Sequence, residues 1–313
     1  MTATTRWDAR QLGTQTGRTF VVTGSNSGIG VETARELVQR GGHVVLAVRD
    51  VARGEQARDD LLAAGGQGRA SVVELDLADL DSVAAAAKQV TDQHPSLNGL
   101  VCNAGVMGGP FGTTVQGFER QMGTNHLGHA ALVSALWPLL RSSAGRVVLV
   151  SSIAARGGRL SATSTTDDLV APSPYRAQAV YANTKQANLL FAQELHRRTV
   201  AAGSPVSVVA AHPGVSATNL FSRQLRERGL SLLAPVADVV MKLALMPSAG
   251  GALPVLRALD TSTPSGAFVG PASLGQTRGR PELLDVYSTG RDEAAAARLW
   301  ELTEQVLDRP LLP

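Results

Sequence analysis

FVVTGSNSGIG, Phe20 to Gly30, is the stretch whose reading decides the fold. A short β-forming run enters a turn with glycine at 24, 28 and 30, and the periodic apolar pattern of Ile29–Arg40 predicts a helix directly after it. In that context backbone N–H groups and the positive end of a helix dipole face a common point, which suits an anion. The glycines let the chain turn tightly and let a pyrophosphate approach the backbone. Gly24, Ser25, Asn26, Ser27, Gly28, Ile29 and Gly30 are therefore candidate phosphate-binding residues. The spacing is GxxxGxG rather than the general GxGxxG, and a lone turn of this kind also serves as an ordinary strand-to-helix connection.

Outward from this turn the alternation continues. Strands are expected at Thr19–Thr23, His43–Val48, Ser71–Leu75, Gly99–Cys102, Arg146–Val150 and Val206–Ala211. Helices are expected at Arg53–Ala64, Ser82–Gln93, Gly117–Leu140 and Tyr181–Thr199, with an irregular-to-helical stretch at Val215–Met246. A last amphipathic helix, Asp292–Leu307, has Asp292 as its N-cap. The strands read as continuous apolar runs, as expected when both faces are covered. The pattern predicts an α/β doubly wound parallel sheet with helices on both sides. No composition shift marks a linker, so residues 1–313 read as a single domain, with loop-rich substrate-pocket segments at 156–179 and 215–250.

Composition narrows the functional classes. With 44% hydrophobic and 18% charged residues, a chain of 313 can bury a full core without disulfides or structural metals. A net charge of +3 and the lack of any long Lys/Arg run argue against a nucleic-acid partner. Cys102 is the only cysteine, which suits a reducing cytoplasm. The segment Met1–Phe20 is polar and does not read as a signal peptide, and Leu230–Met246 is interrupted by Pro235, Asp238 and Lys242, unlike a transmembrane helix. Cytoplasmic localisation is the expectation.

The end of the second strand, LAVRD (Leu46–Asp50), discriminates between dinucleotides. Sites that prefer NAD place an acidic side chain here for the ribose 2′-hydroxyl, whereas this chain has Val48 followed by Arg49. A guanidinium suits the 2′-phosphate, so NADP(H) is expected over NAD(H). The alternative is a solvated Arg49 neutralised by Asp50.

YANTK, Tyr181 to Lys185, opens the helix after the long insertion. Residues four apart share a helix face, so a phenol and an ammonium can reach one site. A neighbouring ammonium favours phenolate, making an acid/base nearer neutrality. Alone, the spacing is a common accident. It gains meaning from Asn103-Ala104-Gly105, Ser151-Ser152 and His212-Pro213-Gly214, each at a strand's C-terminal end, the side where open α/β sheets bind ligands.

TGSNSGIG, NAG, a serine before Tyr181-x-x-x-Lys185 and the later HPG stand in the order of the short-chain dehydrogenase/reductase family, which this chain resembles from about Gly17 to Thr218. The resemblance implies a Rossmann-type sheet of about seven strands. It also implies a catalytic set of Asn125, Ser152, Tyr181 and Lys185, with Ser151 left open against Ser152. In the family the serine orients the substrate oxygen, the tyrosine exchanges its proton, the lysine binds the nicotinamide ribose, and the asparagine helps hold a relay water. Asp76-Leu77 resembles the adenine-contacting segment, and Pro213, Gly214, Val215 and Thr218 resemble the carboxamide-binding stretch. A homo-oligomer is the family's common state.

Ser152 and Tyr181 lie 29 positions apart, a long separation that resembles the branch holding retinol dehydrogenases and light-dependent protochlorophyllide reductases. NHLGH (125–129), KQANLLF (185–191) and LWEL (299–302) carry the same resemblance. The expected activity is hydride transfer between NADP(H) and a carbonyl or alcohol on an apolar small molecule such as a lipid, terpenoid, steroid or polyketide. The alternatives are a non-catalytic NADP(H)-binding regulator or sensor, and a C=C reductase.

His126 and His129 have helical metal-ligand spacing but no further ligand nearby, so packing or hydrogen bonding is expected and no metal. Cys102 reads as a small core residue and Trp7 as a packing anchor. Leu230–Met246 is either a pocket wall or an ordinary core helix.

Overall fold

The computed structural model describes residues 7–214 and 247–312. Its strands are β1 (Thr19–Thr23), β2 (His43–Val48), β3 (Arg69–Glu74), β4 (Gly99–Cys102), β5 (Arg146–Val150), β6 (Ser207–Ala211), β7 (Phe268–Ser273) and β8 (Arg278–Leu284). They form one sheet in the order β3-β2-β1-β4-β5-β6-β7-β8, parallel through β7, with β8 antiparallel at the edge. The order reverses between β1 and β4, so the turns leaving these neighbours part to opposite sides and open a crevice, the usual ligand site of such sheets.

The helices are α1 (Gly28–Gln39), α2 (Val51–Ala63), α3 (Leu80–Gln93), α4 (Arg120–Met122), α5 (Gly128–Ser142), α6 (Thr166–Val170), α7 (Ala177–Ala201), α8 (Ser248–Leu259) and α9 (Glu293–Leu307). Alternating strand residues feed two cores. Val21, Val45, Leu100, Val147 and Val208 pack with α3, α5, α7 and α9. Phe20, Val44, Leu46, Val148 and Val209 pack with α1, α2, α8 and Trp7. Both faces of the strands are thus apolar, which is why they read as unbroken runs. Trp7 also ties the N-terminal segment to α8, since its indole N–H donates to Asp260 Oδ2 at 2.7 Å.

The doubly wound sheet is as expected, with an eighth, antiparallel strand added at its edge. Two expectations need correction. The span expected as one helix, Gly117–Leu140, starts at Arg120 and contains a π turn, Gly123–Leu127, before α5. Glu119 sets that start by accepting the N–H groups of Gln121 and Met122. The 156–179 insertion is less irregular than expected: a 3-10 turn (Ile153–Gly157) enters it, it contains α6, and α7 begins at Ala177 rather than Tyr181. Asp292 does cap α9, accepting from the Ala295 N–H at 3.0 Å. Val215–Met246, and with it Val215, Thr218 and most of the 215–250 pocket segment, lies outside the described residues.

Candidate active site

The glycine turn sits at the β1–β4 crevice, and its shape is sterically enforced. Gly24 has φ +65°, and a Cβ there would stand 3.0 Å from the Cα and Cβ of Ala104. A Cβ on Gly30 would meet the Gly24 carbonyl at 2.5 Å and Asn103 Nδ2 at 2.7 Å. Asn103 Nδ2 donates to the Thr23 carbonyl at 2.8 Å, and the Asn103 and Ala104 N–H groups both donate to Thr23 Oγ1 at 2.9 Å. Asn103 and Ala104 therefore brace the turn from β4. Ser25 is buried with its hydroxyl on the Val22 carbonyl, so it shapes the loop from within. Ser27, with Asn26 before it, precedes α1 without capping it by its side chain, which leaves the first N–H groups of α1 free of a side-chain cap. A compact cradle that added Cβ atoms would fill, beside an uncapped helix N-terminus starting Gly28-Ile29-Gly30, fits a dinucleotide's diphosphate.

Further residues line the same edge. Arg49 follows β2, is exposed, and makes no ion pair with a described residue. Asp50 does not neutralise it: that carboxylate caps α2 and pairs with Arg53 at 3.2 Å. Asp76 is half-buried and its Oδ1 accepts the Ala78 N–H at 2.9 Å, shaping the turn after β3. Leu77 is buried against α5, where a Cβ on Gly128 would lie 2.3 Å from its carbonyl.

The chemical residues converge beside this edge. Lys185 is buried, and its Nζ donates to the Val150 carbonyl at 3.1 Å and sits 5.8 Å from the Tyr181 ring centroid. Gly105 lies between Asn125 and Lys185, since a Cβ on it would be 3.1 Å from Asn125 Oδ1 and 3.6 Å from Lys185 Nζ. Asn125, on the π turn, is fully buried; its Oδ1 accepts the Val106 N–H at 2.7 Å, and its Nδ2 donates to the Val106 carbonyl and Thr184 Oγ1 at 2.9 and 3.0 Å. Its side chain thus fastens the loop after β4 to α7.

The two serines separate cleanly. Ser151 is buried and donates to the Lys185 carbonyl at 2.7 Å, which commits it to holding α7 on β5. Ser152 is half-buried; its Oγ accepts the Ala154 N–H at 3.2 Å and lies close enough to the Tyr181 phenol to favour its ionised form. Burial pushes the phenol's pKa up, and the Ser152 hydroxyl pulls against it. Burial pulls Lys185 down to about 8. Burial thus shifts each toward its neutral form.

His212-Pro213-Gly214 follows β6. The His212 Nδ1 accepts the Gly214 N–H at 3.2 Å and Nε2 donates to the Gln276 carbonyl at 2.8 Å, which fixes this turn to the β7–β8 hairpin. His126 and His129 make hydrogen bonds inside the core, to Thr303 and to Thr23 with the Asn125 carbonyl, respectively. Cys102 is buried, and burial pushes its thiol's pKa up. Thr23 and Thr184, which hold the Asn103–Ala104 edge and the Asn125 amide, stand unmarked inside the TGSNSGIG and YANTK motifs. A small hydroxyl at a strand end or within a helix carries no distinctive spacing.

The model of the short chain dehydrogenase family matches residues 18–164. A Bos taurus protein, dehydrogenase/reductase SDR family member 13, is 40% identical over 299 residues, spanning 95% of this chain and 75% of that protein. Mouse retinol dehydrogenase 14 is 37% identical over 303 residues, covering 92% of this chain and 85% of its own length. A crystal structure of a Mycobacterium paratuberculosis protein superposes with a TM-score of 0.80 at 39% identity, across 99% of this chain and 100% of that one. The chain belongs to the short-chain dehydrogenase/reductase family of nicotinamide-dependent oxidoreductases, within the branch that resembles retinol dehydrogenases.

Proposed function

We propose that this protein interconverts a carbonyl and an alcohol on an apolar small molecule with NADP(H), using Tyr181 as the acid/base. The observation that carries the reading is the convergence of Tyr181, Ser152, Lys185 and Asn125 beside the glycine cradle. When bound, the cofactor supplies or accepts the hydride. Gly24–Gly30 and the N-terminus of α1 would hold its diphosphate, Arg49 the 2′-phosphate, and Asp76-Leu77 the adenine end. Asn103, Ala104 and Gly105 would border it at β4, and Pro213, Gly214, Val215 and Thr218 would border the carboxamide.

In reduction, the Tyr181 Oη–H gives its proton to the carbonyl oxygen that Ser152 Oγ orients, and in oxidation it takes that proton back. Lys185, with a pKa of about 8, is mostly an ammonium at neutral pH. Its charge favours phenolate at Tyr181 against the effect of burial, and its N–H groups not used on Val150 remain for the ribose. Asn125 acts here through its grip on Val106 and Thr184. What supports an apolar substrate is the exposed aromatic surface on the loop after β4, where Phe111, half exposed, stands edge-on to Tyr175 at a centroid distance of 5.4 Å. We read the whole chain as one domain, and the family's common homo-oligomer is the assembly to test for it.

The test is a panel of aldehydes, ketones and alcohols followed by the absorbance of reduced nicotinamide. Tyr181→Phe should lose at least about 1,000-fold in kcat and still bind NADPH. Unchanged turnover in that variant would sink the mechanism. Stoichiometric NADPH binding with no turnover across the panel points to the sensor reading, and a product reduced at C=C points to the other reductase class.

A further inference from the structure

His129 lies between the glycine cradle and the Tyr181 group and belongs to neither. It is 1% exposed, with Nδ1 3.0 Å from the Asn125 carbonyl and Nε2 2.9 Å from Thr23 Oγ1. A carbonyl only accepts, so the ring proton is on Nδ1 and Nε2 is the acceptor. Burial depresses the ring's pKa to about 4, so the imidazole is neutral at working pH. Thr23 must then donate its hydroxyl proton to Nε2. The Val101 carbonyl, at 3.3 Å, is the more distant competitor for that proton. The same Thr23 oxygen accepts the N–H groups of Asn103 and Ala104.

The backbone is irregular at this point. In the Gly123–Leu127 turn the Gly128 N–H reaches back to the Gly123 carbonyl, a π-type register that disturbs the ordinary helical pairing around Asn125. The His129 side chain supplies a donor to the Asn125 carbonyl in this disturbed turn. One ring thereby spans from the peptide of Asn125 to the strand ends that brace the cofactor cradle.

We propose that His129 is a positioning residue: locked in one tautomer, it holds the Asn125 peptide in the π turn and couples it through Thr23 to the Asn103–Ala104 edge of the cofactor cleft. The proposal rests on the catalytic reading of the Asn125 site for its kinetic consequence, but not for its tautomer. Asparagine can put an amide N–H where Nδ1 stands, glutamine can offer an oxygen where Nε2 stands, and leucine can do neither. In the purified protein, H129L should lose roughly 30-fold in kcat while KM for NADPH moves less than about threefold, the loss expected when a hydrogen bond that fixes the positioning Asn125 is removed. H129N should recover most of kcat and H129Q little of it, although all three lower Tm. The wild-type protein labelled with 15N at histidine should show a protonated Nδ1 and a bare Nε2 at position 129. A proton on Nε2, or kcat losses in H129N equal to those in H129L, would overturn the proposal. If instead the tautomer is as stated and Tyr181→Phe keeps its turnover, the catalytic reading fails and the geometry of His129 stands.

Discussion

At the β1–β4 end of the cleft the closing surfaces are main chain and glycine. Gly24 and Gly30 leave less room than one methyl group would need, and Asn103 and Ala104 press on them from β4. At the α4–α7 end the walls are loops held by side chains. Gln121 fastens Gly108 to Ala177, Gln186 Oε1 accepts the Leu160 N–H, and Asn183 Oδ1 accepts the Arg159 N–H. A surface built from backbone is stiff and admits few solutions. One built from side-chain bonds can be altered a residue at a time while the sheet stays as it is, which on the proposed reading suits a fixed cofactor edge and an adjustable substrate edge.

The sharpest way to break this contrast is at the stiff end. Gly30→Ala places a methyl against the Gly24 carbonyl and Asn103 Nδ2, neither of which can retreat without opening the turn. NADPH affinity should fall by at least about 100-fold with the protein still folded, because the clash is confined to the loop. Titration calorimetry of the variant decides it, and retained affinity would mean that the cradle is softer than its distances state. Arg49→Ala should come next. Removing a charge-assisted hydrogen bond to the 2′-phosphate costs about 1.5–3 kcal/mol, or roughly 10- to 150-fold in NADPH affinity, with NADH binding untouched. Equal effects on both nucleotides would remove Arg49 from the cofactor site.

The core on both sides of this contrast shares one weakness, histidines buried in their neutral form: burial depresses His129 beside the cradle and His212 at the β7–β8 hairpin to about 4, and His126 in the core to about 3. An unfolded histidine titrates near 6.5. Between about 4 and 6.5 the unfolded chain therefore binds protons that the folded chain refuses. Stability should be complete above pH 6.5 and fall as the pH drops through that window, by at most about 1.4 kcal/mol per pH unit for each ring. Urea titrations at pH 7 and pH 5 test this, and equal midpoints would show that the rings are hydrated or already paired to charge.

Legibility in the sequence follows the same division. The stiff end was readable because its demands are local: a turn that excludes side chains must show as glycines at fixed spacing, and strands covered on both faces must show as apolar runs. The β1, β2, β4 and β5 boundaries were legible to the residue for that reason. The π turn was not, because Asn125 and His129 keep ordinary helical spacing and the changed register appears only in which carbonyl meets which donor. Nor were α8, β7 and β8. Gly250, Gly251 and Pro254 fall on a helix, and Gly270 and Pro271 on a strand, where tertiary packing overrides residues that locally break both. The family resemblance favours Ser152 and leaves Ser151 open; that Ser151 spends its hydroxyl on the Lys185 carbonyl is visible only in three dimensions, because two adjacent serines look alike in sequence.

The smallest effect should come from the adjustable end. Gln121 is 1% exposed and uses its whole amide: Oε1 accepts the Gly108 N–H at 2.9 Å, and Nε2 donates to the Ala177 carbonyl at 2.9 Å and to the Tyr175 hydroxyl at 3.2 Å. Gln121→Leu keeps much of the volume and removes these bonds together, so the loop after Gly105 and the first turn of α7 lose their common anchor. Two of the stranded partners are backbone groups at a partly open rim that water can reach, which limits the loss to about 1–2 kcal/mol. KM for an apolar carbonyl substrate should therefore rise by roughly tenfold, with kcat within a few-fold and NADPH affinity unchanged. A loss of NADPH affinity comparable to that of Gly30→Ala would show that the two ends move as one body. The contrast between a fixed cofactor edge and an adjustable substrate edge would then be wrong.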